Sequence, residues 1–240
     1  MFCEVYTFAL KKQMNIVIVG ATSGIGRELW KTYATSGNKL FVLGRRIALL
    51  EQMKREGKEC TSIFPIDITQ TDETKLCLQE IKKECTSIDL IIVCAGIGDL
   101  NDSLDYNIEL ETINTNVVAW THVVDCSYKI LENQGQGHLV TLTSVGGLTS
   151  SPLAPAYAAS KAYQINYTKS LQQKSKGKGI WVTEIRPGLV DTAMAKGEGL
   201  FWVMPTQKVV HQVTKAIAHK RKTKVVTKRW AFISFILKHF

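Results

Sequence analysis

Short runs of β-branched and aliphatic residues alternate along the chain with longer stretches whose apolar residues recur every three or four positions. The short runs are Asn15–Val19, Lys39–Leu43, Cys60–Phe64, Ile88–Cys94, Gly137–Leu142, Ile180–Ile185 and Lys224–Thr227. The first, fourth and sixth (NIVIV, IDLIIVC, IWVTEI) are nearly unbroken apolar runs. A strand reads that way when helices cover both faces of a parallel sheet. Helix-length segments lie between the runs, near 24–36, 46–56, 70–85, 105–132, 155–175 and 206–219. A strict strand–helix alternation predicts an α/β fold with a doubly wound parallel sheet of about seven strands. No low-complexity linker or internal repeat divides the chain, so residues 14–228 read as a single domain. Residues 1–13 read as an N-terminal extension, with Met14 as an alternative start.

Composition narrows the picture. Of 240 residues, 45% are hydrophobic and 21% charged, which excludes a disordered chain. A compact chain of this length buries roughly 70–75% of its unfolded surface and needs no disulfide or metal staple. The six cysteines are scattered, with no CxxC pair and no Cys/His cluster at zinc-finger spacing. They read as reduced, buried thiols of a cytoplasmic protein. The N-terminal residues lack the basic region of a signal peptide, and no stretch reaches the roughly 18–20 apolar residues of a membrane span.

Directly after the first run comes Gly20-Ala21-Thr22-Ser23-Gly24-Ile25-Gly26, followed by the helical RELWKTYA. A strand turning straight into a helix N-terminus aims backbone N–H groups and the positive dipole end at one point, which suits a pyrophosphate. In this reading Gly20 allows the tight turn, Gly24 lets a phosphate reach the backbone, and Gly26 lets the helix pack on the sheet. No lysine follows as it would in a P-loop. An unphosphorylated ribose is usually held by an acid about 20 residues beyond the glycines. Here no acid lies between Glu28 and Glu51, and the second run instead leads into Arg45-Arg46. Two guanidinium forks at a helix start suit a 2′-phosphate, which points to NADP(H) over NAD(H).

Tyr157 and Lys161 stand four residues apart, on one face of a helix. A phenol with a pKa near 10 is a poor acid–base group at neutral pH. A neighbouring ammonium favours its phenolate. Ser144 closes the strand HLVTLTS thirteen residues earlier, at the end where open α/β sheets build their sites.

These motifs together resemble the short-chain dehydrogenase/reductase family. Gly20-to-Gly26, Cys94-Ala95-Gly96, Asn116, Ser144, Tyr157, Lys161 and Pro187-Gly188 occur in the family's order over residues 14–192. The resemblance implies a Rossmann fold and an NADP(H)-dependent carbonyl reductase or alcohol dehydrogenase acting on a small carbonyl or alcohol, as a homodimer or homotetramer. It implies Tyr157 as general acid or base and Lys161 as the group that lowers its pKa and binds the nicotinamide ribose. Ser144 would polarise the carbonyl, and Asn116 would hold a water of a proton relay; Asn114 fits the family pattern less well. For the cofactor it implies Gly20, Thr22, Ser23, Gly24, Ile25 and Gly26 at the phosphates, Arg45 and Arg46 at the 2′-phosphate, and Asp67 with Ile68 at the adenine. Cys94, Ala95 and Gly96, with Pro187, Gly188, Val190 and Thr192 toward the carboxamide, complete the set. Cys94 departs from the family's usual Asn, which mainly braces the central strands, so the fold should tolerate a thiol. His138 and Ser144 lie about 20 Å apart along an extended segment, and no G-x-S-x-G elbow occurs, which argues against a hydrolase. The rival reading is a non-catalytic dinucleotide-binding sensor on the same fold.

The C-terminal part leaves alternatives open. Ala193–Pro205 carries Leu200, Phe201, Trp202 and Met204, which either cover an apolar substrate or pack on the core. From Gly199 to Phe240 there are nine Lys/Arg and no acid, matching the whole formal charge of +9. No recognition motif supports nucleic-acid binding. On a helical wheel of 229–240, Ser234 and Lys238 fall together, with Trp230, Ile233, Ile236, Leu237 and Phe240 roughly opposite. That apolar face packs on protein or lies on an anionic membrane surface.

Overall fold

The computed structural model describes residues 13–193, 202–227 and 229–232. The expected extension at 1–13 and the tail at 229–240 therefore lie largely outside the described residues, as do Leu200 and Phe201. Seven parallel strands form one sheet: β1 Asn15–Val19, β2 Lys39–Gly44, β3 Thr61–Pro65, β4 Leu90–Val93, β5 Gly137–Leu142, β6 Ile180–Pro187 and β7 Thr223–Val226, in the order β3-β2-β1-β4-β5-β6-β7. The connecting helices are α1 Gly24–Ala34, α2 Ile47–Gly57, α3 Thr71–Glu84, α4 Tyr106–Ile113, α5 Trp120–Gln134, α6 Pro155–Lys174 and α7 Thr206–Ala218. The doubly wound sheet expected from the alternation is present.

The unbroken apolar runs have a direct cause. Ile16 and Ile18 of β1 pack into a core with Leu29 and Trp30 of α1, Leu50 of α2 and Val213 of α7. Val17 and Val19 point the other way, to Leu78 of α3 and Trp120, Val123 and Val124 of α5. Strand side chains alternate between faces, so a strand covered on both must be apolar throughout. Each fully buried aliphatic side chain contributes roughly 1.5–3 kcal/mol.

Two elements differ from expectation. The segment expected as one helix at 105–132 is broken by a π-helical turn, Asn114–Ala119, between α4 and α5. Asp105 caps α4 by accepting from the Asn107 N–H, and Gly135, at φ 70°, ends α5. β6 runs on to Pro187 because β7 continues to pair with it, Pro187 facing Val226. Strand order reverses between β1 and β4, and the C-terminal strand ends around that switch point are where a crevice opens.

Candidate active site

The glycine-rich turn links β1 to α1. Gly20 has φ +84°, and a Cβ on it would fall 2.6 Å from the Ala95 backbone nitrogen at the end of β4. Gly26 sits against the Gly20 carbonyl, where a Cβ would come within 2.2 Å. No side chain caps α1 at Ser23 and no acid stands in its first turn. The loop therefore presents backbone N–H groups with a positive dipole end, beside Thr192 of the Pro187–Thr192 segment, whose Cγ2 lies 3.1 Å from the Cβ position of Gly24. This cradle fits the pyrophosphate of a dinucleotide.

The two arginines after β2 face different partners. Arg46 donates from Nε and Nη2 to Thr22 Oγ1, at 3.1 and 2.9 Å. Arg45 Nη1 lies 3.6 Å from Asp67 Oδ2. Partial burial raises the Asp67 pKa, but Thr69, through its N–H and hydroxyl, and Arg45 outweigh this and hold it below the usual carboxylate range. A cavity of about 470 Å³ opens beside this pair; Thr69, Gln70, Asn107 and Asn114 also line it. Asn114 therefore belongs to this outer cavity. Asn116 lies two residues further on and is fully buried.

Asn116 is a junction. Its Nδ2 donates to the Ile97 carbonyl at 2.7 Å and to Ser160 Oγ at 3.1 Å, while its Oδ1 accepts from the Ile97 N–H at 2.9 Å. The Cys94-Ala95-Gly96 exit of β4 is thereby tied to α6. Ser160 in turn donates to the Tyr157 carbonyl. The first turn of α6 is held from the far side: Glu109 Oε2 accepts from the Ala156 N–H at 2.7 Å, and Glu109 Oε1 accepts from Asn101. A carboxylate at a helix N-terminus also complements the dipole.

On this fixed helix Tyr157 and Lys161 share one face. Ser144, just past β5, stands beside the Tyr157 ring: a Cβ on Gly146 would lie 3.4 Å from Ser144 Oγ and 3.5 Å from a Tyr157 ring carbon. The Gly146 N–H donates to Ser144 Oγ at 3.0 Å, which occupies one lone pair and leaves the hydroxyl proton free to point at Tyr157 or a substrate oxygen. The structure places Ser144, Tyr157, Lys161 and Asn116 around the first turns of α6. Their electrostatics differ from expectation. Lys161 Nζ lies over the Tyr157 ring, 5.7 Å from its centroid. Burial raises the Tyr157 pKa, and the neighbouring Ser144 hydroxyl acts the other way without cancelling it. Burial draws the Lys161 ammonium down to about 8, with nearby Cys94 opposing. Cys94 itself is pushed up to about 12 by burial, Lys161 acting the other way, so it stays a neutral thiol.

Gln164 escaped the sequence reading. It is fully buried one turn beyond Lys161, accepts from Lys161 Nζ at 2.9 Å and donates to the Asn116 carbonyl at 2.8 Å. The resemblance implies a water held by Asn116; here the Asn116 carbonyl is met by the Gln164 side chain. A polar residue three positions after the lysine, on the inward face of α6, is the signal that could have found it.

The Pro187–Thr192 loop leaves β6 and is framed by Met204, which pairs with Val190. Met204 packs against the core, and half-exposed Trp202 packs edge-on against Trp230 at 6.3 Å. Trp230 itself, read from the wheel as part of an apolar tail face, is buried against Gly188. His138 lies at the opposite, N-terminal end of β5, bonded to Thr183, away from Ser144.

The family model of the short chain dehydrogenases matches residues 14–200, and the chain belongs to that family. An uncharacterized oxidoreductase of Staphylococcus epidermidis is 29% identical over 188 residues, covering 78% of this chain and 82% of that protein. One from Mycobacterium tuberculosis is 30% identical over 190 residues, covering 76% and 75%. Among solved structures, a short chain dehydrogenase/reductase from Burkholderia phymatum in complex with NAD superimposes with a TM-score of 0.84 at 19% identity, over 93% of this chain and 92% of that one. ElxO with NADP bound superimposes with a TM-score of 0.79 at 19% identity, over 90% and 97%. No helix among the described residues is long and apolar enough to cross a membrane.

Proposed function

We propose that this protein is an NADP(H)-dependent oxidoreductase that reduces a small carbonyl compound, with Tyr157 as proton donor. The observation that carries the reading is that Tyr157 and Lys161 share one face of α6, the ammonium 5.7 Å from the ring centroid, with the Ser144 hydroxyl beside the phenol. A sensor has no need of a half-buried phenol and hydroxyl beside a buried ammonium, so the enzymatic reading is favoured over the non-catalytic one.

The glycine turn from Gly20 to Gly26 and the N-terminus of α1 would hold the pyrophosphate. Arg45 and Arg46 would take the 2′-phosphate, Asp67 with Ile68 the adenine side, and Gly188, Val190 and Thr192 the nicotinamide end. NADP(H) bound there supplies the hydride. The protein supplies the rest. Ser144 donates a hydrogen bond to the carbonyl oxygen and fixes it beside the phenol. Tyr157 gives that oxygen its proton. A phenol whose pKa burial keeps raised remains protonated at neutral pH, which suits an acid for reduction better than a base for oxidation. Lys161 holds a positive charge close to the phenolate left behind.

The same reading places a domain over residues 14–228 in the cytoplasm, as a homodimer or homotetramer. Exposed Leu110, Ile113 and Val118 offer apolar surface for such contacts. Contact of the 229–240 tail with a membrane surface loses support from the burial of Trp230.

The test is a panel of aldehydes and ketones with NADPH, followed at the nicotinamide absorbance. Turnover of at least one substrate is expected. Tyr157→Phe, which removes only the hydroxyl, should lower it at least about a hundredfold while NADPH still binds. Near-full turnover by Tyr157→Phe on the same substrate would refute the assignment.

A further inference from the structure

Lys161 is almost fully buried, and its ammonium has a neutral partner: the Gln164 amide oxygen at 2.9 Å. The other end of that amide donates to the Asn116 backbone carbonyl at 2.8 Å. Asn116 lies inside the π-helical turn Asn114–Ala119. A turn of this kind replaces the i→i+4 ladder with wider i→i+5 bonds. Gln164 adds a side-chain donor to one carbonyl within it.

The orientation of the amide follows from chemistry. A carbonyl can only accept, so the NH₂ end of Gln164 must face Asn116. The oxygen end is then bound to face Lys161, and it too can only accept. A neutral amine could donate to that oxygen as well, but the amide dipole pointing its negative end at Nζ favours the ammonium. The titratable groups facing Lys161 are Tyr157 on its own helix and Cys94 at the end of β4, both neutral with raised pKa values. Of the two only Cys94 acts against the burial of the cation, and it does not cancel it.

We propose that Gln164 is a positioning residue that keeps Lys161 protonated, its amide locked by the Asn116 carbonyl so that only the oxygen can meet the ammonium. The role rests on the reading of Lys161 as the charge beside Tyr157. A glutamate here would hold the charge too strongly, and an apolar residue would let burial win. An amide is intermediate.

The experiment measures Lys161 directly in the full-length protein, without cofactor or substrate. Trace acetylation with acetic anhydride reports the neutral amine, and the pH midpoint of the Lys161 peptide by mass spectrometry gives its titration independently of how accessible the amine is. Gln164→Met, of similar size but without the acceptor, should lower that midpoint by about one unit. Gln164→Glu, which places a carboxylate against the ammonium, should raise it by at least as much. Opposite shifts from two near-isosteric variants are not produced by loosened packing. If Gln164→Met fails to fold, Gln164→Glu alone decides, since an unmoved midpoint in it overturns the proposal. Unmoved midpoints in both variants do so as well. A second readout is the pH profile of NADPH binding, which should move in the same two directions. If the unmutated protein binds no dinucleotide and reduces no carbonyl, the functional reading fails while the Lys161 midpoints still stand or fall by themselves.

Discussion

The indole of Trp230 lies so close over Gly188 that a Cβ on that glycine would fall 2.2 Å from the ring. The second residue of the basic, apolar tail is thereby part of the wall behind the Pro187–Thr192 loop, and only 7% of its surface is exposed. Trp230→Ala should cost about 3–5 kcal/mol, the usual loss for a buried aromatic. Removing residues 229–240 should cost at least as much and weaken dinucleotide binding, because the loop loses its support. Thermal and urea unfolding check the first expectation and NADPH titration the second. A truncated protein with unchanged stability and affinity would show that the contact is idle.

Cofactor choice turns on Arg45. Its ion pair with Asp67 is long, at 3.6 Å, and half exposed, which makes it worth little in water. A 2′-phosphate is a stronger partner for the same guanidinium. NADPH is therefore expected to bind at least about tenfold tighter than NADH, the 1.4 kcal/mol of a charge-assisted contact. Arg45→Ala should remove much of that gap. Arg46 is already committed to Thr22, so Arg46→Ala should also disturb the glycine turn and weaken both dinucleotides. Equal affinities for the two in the unmutated protein would end the argument.

Beneath α6, Glu184 and Arg186 of β6 form a fully buried ion pair. Arg186 donates from Nε and Nη2 to the carboxylate, each at 2.8 Å, and Thr143 donates to the same carboxylate at 2.8 Å. Arg186 Nη1 is buried with no hydrogen-bond partner among the described residues, so the pair is imperfectly satisfied there. Glu184→Ala leaves a buried guanidinium uncompensated and should cost about 3–5 kcal/mol. Replacing both residues by Leu and Met should recover most of that loss, because the desolvation of two charges disappears together with their attraction. Urea unfolding of the single and double variants separates these outcomes; a double variant as unstable as the single one would mean the pair itself holds the fold.

Much of this architecture was legible in the residues because its signals are local. Unbroken runs such as NIVIV marked doubly covered strands, and the glycine turn and the Tyr157–Lys161 spacing carry their chemistry within seven residues or fewer. What stayed hidden depends on partners far along the chain. Nothing in the composition of 105–132 marks a π-helical turn, which appears only where Asn116 meets Ile97 and Gln164. Gln164 is 48 residues from the carbonyl that orients it, and Glu184 is 41 from Thr143. The raised pKa of Tyr157 reflects burial, which spacing along a helix does not report; the neighbouring ammonium sits over the ring, so its expected effect on the hydroxyl gives way to desolvation.

His138 gives the fold an acid-sensitive point remote from the active site. Its Nε2 lies 2.7 Å from Thr183 Oγ1, and that hydroxyl donates to the Arg221 carbonyl at 2.6 Å. With its proton committed to the carbonyl, Thr183 must accept from His138, so Nε2 carries the ring proton and the imidazole is neutral. Burial, and secondarily Lys220, draw its pKa down to about 4 from an ordinary value near 6.5. Between those values the unfolded chain binds the proton and the folded one does not, so stability rises with pH across the window. The contribution is complete above pH 6.5 or so and is lost as pH falls toward 4, with roughly 3 kcal/mol as its upper bound. His138→Gln, which keeps a donor but cannot titrate, should flatten the stability profile between about pH 4 and 6.5 while leaving stability at pH 7.5 within about 1 kcal/mol of the unmutated protein. Urea unfolding midpoints across that range measure it directly. An unaltered slope in the variant would assign the acid sensitivity to carboxylates instead.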